Sequence, residues 1–90
     1  MEVIVTRTFL KQLKNCPPYI QESARAVLES LEAANDLSQI PDIKKLKGYL
    51  FYYRICIGDY RSGMEHRKPQ IIVMTILHRG TIYKKFPPKN

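Results

Sequence analysis

The spacing of apolar residues changes once along this chain of 90 residues, from a helical repeat to a strand repeat. Between positions 20 and 34, apolar residues recur every three or four positions, as they do along one face of a helix. They are Ile20, Ala24, Val27, Leu28, Leu31 and Ala34. From Tyr49 onward apolar residues alternate with polar ones, which is the pattern of strands with one buried side. We therefore expect one domain, residues 1–90, in which helices cover one side of a sheet.

Prolines and capping residues set the expected limits of the first helix. Glu2–Thr6 is rich in β-branched residues and predicts a first strand. Thr8 is expected to cap a helix that begins at Phe9. Pro17 and Pro18 end that helix, because proline has no amide proton and disfavours helical geometry in the residue before it. The two helices therefore form a hairpin with one apolar side to bury.

Turn residues divide the second half of the chain into three strands. The expected strands are Leu50–Ile57, Tyr60–Glu65 and Gln70–Leu77. Asp42–Gly48, before them, is expected to be a basic connector, and residues 78–90 are expected to be a tail. The predicted order is β-α-α-β-β-β, an α+β fold in which the two-helix hairpin packs on a three-strand antiparallel meander.

Two arginines interrupt the first two of these strands, where packing usually favours valine or isoleucine. Gly58-Asp59 predicts a two-residue hairpin loop, which places Arg61 opposite Cys56. The same loop places Gly63 opposite Arg54. Because facing residues share one side of a sheet, both guanidinium groups are expected on the side away from the helices. Gly63 is expected to leave room there for a ligand.

The paired arginines predict an anion as ligand. Arginine has a planar fork of donors that matches two oxygens of a phosphate. Two like charges this close repel each other and are costly to desolvate, unless an anion binds between them. The alternative is that Arg54 pairs with a nearby carboxylate while Arg61 lies along the sheet with its charged end in water. A four-residue loop at His66–Pro69 is expected to add His78 to the side that carries the arginines.

The charge of the chain is concentrated in its second half. Residues 1–42 hold four Lys or Arg and six Asp or Glu, whereas residues 43–90 hold eleven and two, and the net charge is +7. This distribution favours an anionic partner, namely nucleic acid, an acidic protein or a membrane surface. A solvated basic face without a partner is the alternative.

The sequence offers no motif for a metal or a cofactor. Cys16 and Cys56 form no CxxC pair, and the two histidines complete no zinc spacing. One disulfide is possible, but nothing else indicates secretion, so we expect two reduced thiols. We find no signal-peptide pattern, and no apolar run reaches the roughly 18 residues of a membrane span. The expectation is a cytoplasmic protein without a membrane segment.

Three segments resemble the RelE-type toxins of the RelE/ParE superfamily, which act in type II toxin–antitoxin pairs. They are Leu46-Lys47-Gly48, the block from Tyr53 to Arg61, and Leu77-His78-Arg79 followed by Ile82-Tyr83. Chain length and predicted element order also fit, so the resemblance covers nearly all of the chain. It implies a RelE-like fold and a ribosome-dependent mRNA endonuclease that inhibits translation.

In this resemblance the enzyme cuts mRNA in the ribosomal A site through the RNA 2′-hydroxyl, without a metal. A cognate antitoxin neutralises it in a hetero-oligomer. Two other functions remain open on the same fold. One is a ParE-like inhibitor of DNA gyrase, and the other is a catalytically weak, nucleic-acid-binding toxin homologue.

The resemblance also implies roles for individual residues. Arg61 matches the arginine that contacts the scissile phosphate, and Arg79 matches a second catalytic arginine. Tyr83 matches a C-terminal tyrosine that packs against a base, although a ring packed in the core is the alternative. Arg54 and Cys56 stand at two positions that are lysines in the founding member, and neither residue replaces a lysine as a general base.

The remaining candidates come from side-chain chemistry. His78 is the residue of this group that exchanges a proton most readily near neutral pH, and a strand-end histidine bonded to the backbone is the alternative. Several lysines are expected to contact the RNA backbone or to stay solvated. They are Lys44, Lys45, Lys47, Lys84 and Lys85, with Lys89 in the tail.

Overall fold

Eight helices and strands follow one another in the computed structural model, which describes residues 1–88. The strands are β1 Glu2–Val5, β2 Ile43–Lys45, β3 Tyr52–Ile57, β4 Tyr60–Arg67 and β5 Gln70–His78. The helices are α1 Arg7–Lys14, α2 Pro18–Ala33 and α3 Ile82–Lys85, and one 3₁₀ turn spans Leu37–Gln39. Within the described residues, none of the helices is long and apolar enough to cross a bilayer.

The five strands form one mixed sheet in the order β1-β5-β4-β3-β2. β1 pairs in parallel with β5, and the other three pairs are antiparallel. A parallel pair needs a long crossover connection. Here the helical hairpin and the strands β2, β3 and β4 lie between β1 and β5 in sequence. The expected α+β fold, in which a helical hairpin is followed by an antiparallel meander, is confirmed.

Two elements differ from the expectation. Asp42–Gly48, predicted to be a connector, contains β2, which pairs with β3. The tail contains the single helical turn α3. Three or four residues are too few to show a hydrophobic period, so the sequence gives no local signal for either element. The backbone groups of β2 and β3 satisfy each other's hydrogen bonds, and β2 is the edge strand of the sheet.

Apolar residues of both layers meet between the helices and the sheet. Ile20, Ala24 and Leu31 of α2 are buried, as the helical stripe predicts, and Phe9 of α1 is buried beside them. The sheet contributes Ile55, Ile57, Met64, Ile71, Val73 and Ile76. We call the side of the sheet that carries these residues the inner face, and the opposite side the outer face.

α1 begins two residues earlier than the sequence predicted. Thr6, rather than Thr8, is its N-cap, because the hydroxyl oxygen of Thr6 accepts a hydrogen bond from the amide of Phe9 at 3.1 Å. The same hydroxyl donates to the carbonyl oxygen of Met74 in β5 at 2.9 Å. A contact with the sheet therefore selects one of two threonines that are equally suitable as caps in the sequence.

The loop between β4 and β5 is shorter than expected. His66–Pro69 was predicted as a four-residue loop, but β4 continues to Arg67, which pairs with Gln70. The loop is thus the two residues Lys68-Pro69. This difference moves the register by two positions, which leaves the faces of β5 unchanged.

A bulge then reverses those faces in the second half of β5. Met64 pairs with Val73, whereas the preceding residue, Gly63, pairs with Thr75. Met74 is therefore an extra residue in β5. One extra residue moves every later side chain to the other side of a sheet, so the end of β5 has the opposite orientation to the one predicted.

Replacing Thr6 by alanine removes the cap of α1 and its contact with Met74. We expect Thr6→Ala to lower the free energy of unfolding by about 1–2 kcal/mol, measured by chemical denaturation. Thr8→Ala is the matched control, because Thr8 is exposed within the helix, and we expect it to change stability by less than about 0.5 kcal/mol. Equal losses in the two variants would contradict the assignment of the cap.

We expect the stability of the fold to depend on pH through His66. Its Nε2 is buried and has no hydrogen-bond partner among the described residues. Burial, and after it the charge of Lys68, lower the pKa of His66 below its ordinary value. The folded state therefore disfavours the protonated ring, and the stability present above about pH 6.5 declines as pH falls through the lower, folded-state pKa.

We expect the melting temperature to fall more between about pH 7.5 and about pH 5 in the unsubstituted chain than in His66→Phe. The phenylalanine keeps a ring beside Tyr53, whose centroid lies 6.0 Å from that of His66, but it takes up no proton. Parallel melting curves for the two proteins would show that His66 does not carry the pH dependence.

Candidate functional site

The two arginines that interrupt β3 and β4 lie on the outer face. The β3–β4 register places Arg61 opposite Cys56. It also places Gly63 opposite Arg54, as the sequence predicted. β2 adds Lys44, which is the partner of Arg54 on its other side. Three adjacent strands therefore each contribute one cationic side chain to the same face.

Neutral acceptors hold both guanidinium groups. Nη1 of Arg54 donates to Sγ of Cys56 at 2.8 Å and to the carbonyl oxygen of Asp42 at 3.5 Å. Nη1 of Arg61 donates to the carbonyl oxygens of Gly58 and Tyr60, each at 2.9 Å. These hydrogen bonds fix where the cations lie without cancelling their charge.

In the part of the chain that the structure describes, neither guanidinium group is paired with a carboxylate. Within residues 1–88, the ion pairs with an N–O distance of 4.0 Å or less join Arg67 to Glu65 and Arg79 to Asp59. Glu65 and Asp59, the carboxylates expected as alternative partners of Arg54, are thus paired with other arginines. A pair of partly buried, uncompensated guanidinium groups on one rigid face is suited to bind an anion such as phosphate.

Arg79 reaches the same end of the sheet from β5. Its backbone amide donates to the carbonyl oxygen of Asp59 at 2.8 Å, and its Nη1 lies 4.0 Å from Oδ1 of the same residue. Because the carbonyl of Gly58 holds Arg61, the β3–β4 loop anchors both arginines. The side chain of Arg79 is 63% exposed, so a ligand can reach it.

Gly63 does not leave room for a ligand, which corrects the expectation from the sequence. A Cβ atom built on Gly63 would lie 2.6–2.8 Å from three ring atoms of Phe86. Phe86 is 2% exposed and follows α3, so the C-terminal segment of the chain itself fills the position above Gly63. The part of the outer face that stays open is therefore the side of β3 and β2.

The prediction that His78 shares a face with the arginines is wrong. The bulge in β5 places His78 opposite Tyr60, whose ring packs against the core on the inner side. The two rings make an edge-to-face contact with centroids 5.6 Å apart. Nδ1 of His78 accepts a hydrogen bond from the amide of Gly80 at 3.1 Å, which is the alternative considered from the sequence.

The other predicted residues within the described part of the chain have exposed side chains. Tyr83 is on α3 and is 58% exposed, so its ring is not packed in the core. Lys84 and Lys85 occupy the same turn. The five predicted lysines Lys44, Lys45, Lys47, Lys84 and Lys85 are all exposed, and Lys89 lies outside the described residues. Lys45 pairs with Tyr53, so it faces the side opposite to Lys44.

Two tyrosines of the outer face were not predicted as site residues. Tyr52 is two positions before Arg54 in β3, and its ring lies 5.4 Å from that of Phe86. Tyr49 lies 5.7 Å from Tyr52, centroid to centroid. The alternation along β3 was sufficient to place Tyr52 beside Arg54, but the ring contacts depend on Phe86, which is distant in sequence.

The described residues contain no group of three His, Cys, Asp or Glu side chains placed to hold a metal ion. Both cysteines are free thiols. Cys16 is buried in the core, and burial raises the pKa of its thiol. Cys56 lies on the outer face, where it accepts the hydrogen bond from Arg54.

Comparison with known proteins matches this chain to a family of toxins and to a related toxin. Residues 3–83 match the family model of the ParE toxin of type II toxin–antitoxin systems, parDE. The chain is 42% identical to Toxin RelE3 of Methanocaldococcus jannaschii over 88 residues, which cover 97% of this chain and 100% of that protein.

Solved structures show the same fold. The chain is similar to a chain of the RelB–RelE antitoxin–toxin complex from Methanococcus jannaschii, with a TM-score of 0.81, 40% identity, and coverage of 93% of this chain and 99% of that one. A chain of the archaeal RelE–RelB complex from Pyrococcus horikoshii has a TM-score of 0.73, 23% identity, and coverage of 88% and 94%.

The contact between Gly63 and Phe86 is testable by adding one methyl group. We expect Gly63→Ala to lower the free energy of unfolding by about 1–3 kcal/mol, because the new Cβ overlaps the ring of Phe86. Gly80→Ala is the control, since a Cβ there meets no atom closer than 3.5 Å, and it should shift stability by less than about 1 kcal/mol. Denaturation curves that leave Gly63→Ala as stable as the control would refute the contact.

Proposed function

This chain belongs to the RelE/ParE family of toxins from type II toxin–antitoxin systems, and we propose that it is a ribosome-dependent endoribonuclease that cuts mRNA and so inhibits translation. The observation that carries this proposal is the pair of guanidinium groups, Arg54 and Arg61, that share the outer face and have no carboxylate partner among residues 1–88. An RNA phosphodiester is an anion whose charge and oxygen geometry suit such a pair.

Cleavage through the RNA 2′-hydroxyl has three requirements. A base takes the proton of the hydroxyl, and its oxygen bonds to phosphorus while the bond from phosphorus to the 5′-oxygen breaks. An acid protonates that leaving oxygen. Negative charge grows on the non-bridging phosphate oxygens meanwhile, and fixed cations beside them lower the barrier. We assign this stabilisation to Arg61 and Arg79, which the β3–β4 loop anchors, and to Arg54 beside them.

Arg54 and Cys56 stand at two positions that are lysines in the founding member, and we assign proton transfer to neither of them. Arg54 does not lose its proton near neutral pH, and Cys56 already accepts a hydrogen bond from Arg54. His78 lies on the opposite side of the sheet from the two arginines, and its Nδ1 accepts a hydrogen bond from the amide of Gly80. We therefore do not assign the role of base to His78.

The remaining exposed residues are assigned to RNA binding. We propose that the ring of Tyr83, exposed on α3, stacks on a base of the substrate. The lysines contact the RNA backbone at longer range, where each cation adds salt-dependent affinity. They are Lys44, Lys45, Lys47, Lys84 and Lys85. The ribosome is the site of action in this proposal, and the protein therefore acts in the cytoplasm.

We also propose a cognate antitoxin as the protein partner. A solved relative that is 40% identical to this chain is part of a RelB–RelE antitoxin–toxin complex. The net charge of +7 favours an acidic partner chain. The resulting complex is a toxin–antitoxin hetero-oligomer, and the single domain of residues 1–90 supplies its toxin part.

One observation favours a second function. The matching family model is that of ParE toxins, and a ParE-like chain would inhibit DNA gyrase instead of cutting mRNA. The relatives at 42% and 40% identity are both RelE proteins, and this favours the nuclease. Gyrase supercoiling in the presence of the purified chain separates the two functions.

Arg61→Ala is the most direct test of the nuclease. We expect cleavage of mRNA on translating ribosomes to fall by about 100-fold or more, because one fixed cation at the phosphate is lost. Mapping of cut sites by primer extension measures the rate. Arg25→Ala is the matched control, since Arg25 is exposed on α2 in the opposite layer, and it should cut at the normal rate.

Two results would contradict the proposal. Full cleavage by a correctly folded Arg61→Ala chain would remove Arg61 from the site. Absence of cleavage by the unsubstituted chain, together with inhibition of gyrase, would establish the second function. The melting temperature of each variant shows whether the fold is intact.

A further inference from the structure

An array of aromatic rings borders the cations of the outer face. Tyr52 and Arg54 are two positions apart in β3, so their side chains leave the same face about 6.6 Å apart. The ring of Tyr52 meets that of Phe86 at 5.4 Å in an edge-to-face contact. On its other side, Tyr52 meets Tyr49 at 5.7 Å with the two rings tilted by 58°. The three rings thus form a row that begins in the core and ends in solvent.

Exposure increases along this row. Phe86 is 2% exposed and is fixed above Gly63. Tyr52 is partly buried against it, and Tyr49 is 45% exposed. A rigid inner ring favours stacking, because little side-chain entropy is lost when a ligand binds. An exposed outer ring offers its flat face to that ligand. Tyr49 and Tyr52 have no role in the proposed cleavage steps.

The charges around the row suit a nucleic acid. Arg54 follows Tyr52 by two positions on the same side of β3, and Lys44 of β2 is the partner of Arg54. Glu65 is opposite Tyr52, but it is paired with Nε of Arg67 at 2.8 Å, so it repels a phosphate only weakly. Single-stranded RNA is bound by this combination of aromatic rings for the bases and cations for the backbone.

We propose that Tyr49 and Tyr52 form a stacking platform for one unpaired base of the mRNA, whose neighbouring phosphate lies at Arg54. This inference rests on the proposed nuclease function and adds a base subsite to it. A base on the platform fixes the RNA strand along β3, and so it positions the scissile phosphate at Arg61. The subsite accepts any base, because every base offers a flat face to the rings.

Tyr49 is the residue to substitute, since it is half exposed and its loss spares the core. Tyr49→Leu keeps an apolar side chain but removes the ring, whereas Tyr49→Phe keeps the ring. We expect single-turnover cleavage on programmed ribosomes to slow about tenfold in Tyr49→Leu and to stay near normal in Tyr49→Phe. Tyr19→Leu is the matched control, because Tyr19 is 61% exposed on α2 and should leave the rate unchanged.

An mRNA that lacks one base makes the test specific to stacking. Templates with an abasic nucleotide at each A-site position in turn are cut by the unsubstituted chain and by Tyr49→Leu. If the ring stacks on a base, one abasic position slows the unsubstituted chain by the same factor as the substitution. At that position Tyr49→Leu causes no further loss.

Other outcomes overturn the platform. Equal slowing by Tyr49→Leu on all templates would mean that the ring meets no base. Normal cleavage by Tyr49→Leu, combined with weaker neutralisation by the antitoxin, would show that this surface binds protein instead. Absence of cleavage by the unsubstituted chain would overturn the nuclease itself and the platform with it, whereas a defect restricted to Arg61→Ala would overturn the platform alone.

Discussion

The two-residue turn between β3 and β4 is the constraint on which the site depends. Gly58 takes a φ of 57°, a left-handed conformation that glycine adopts without strain. The turn sets the register that puts Arg54 and Arg61 on one face. Its carbonyls also hold the site together, because that of Gly58 accepts from Arg61 and that of Asp59 accepts from the amide of Arg79. One more residue in the turn would send the two arginines of the hairpin to opposite faces.

The C-terminal segment decides how much of this face is open. Ile82, the first residue of α3, is fully buried, and Phe86 is buried above Gly63, so the C-terminal segment covers part of the sheet. The open part lies toward β2, where Lys44 and Arg54 are neighbours. Apolar packing beside these cations lowers the local dielectric, which strengthens their attraction for a phosphate. The segment that limits the open area of the site therefore also strengthens the attraction between its cations and a phosphate.

Two adjacent side chains of β3, Arg54 and Cys56, are joined by a hydrogen bond on this face. Arg54 brings a positive charge, and Sγ of Cys56 accepts a hydrogen bond from Nη1 of Arg54 at 2.8 Å. Lys44 of β2, opposite Arg54, brings a second cation to the same strip of the sheet. The electrostatic part of the site therefore has three cations across β2, β3 and β4, while a lysine that acts as a base is absent from these two positions.

The sequence by itself determined what depends on neighbours along the chain. The helical stripe of α2 and the alternation around Gly58-Asp59 are local patterns, and they predicted the layers, the β3–β4 register and the shared face of Arg54 and Arg61. Tertiary structure alone decided which threonine caps α1, that β2 pairs with β3, and that a bulge turns His78 away. It also placed Phe86 over Gly63, 23 positions earlier in the chain. Each of these outcomes depends on groups that are distant in sequence and that form hydrogen bonds or pack against each other. The local spacing of apolar residues therefore does not predict them.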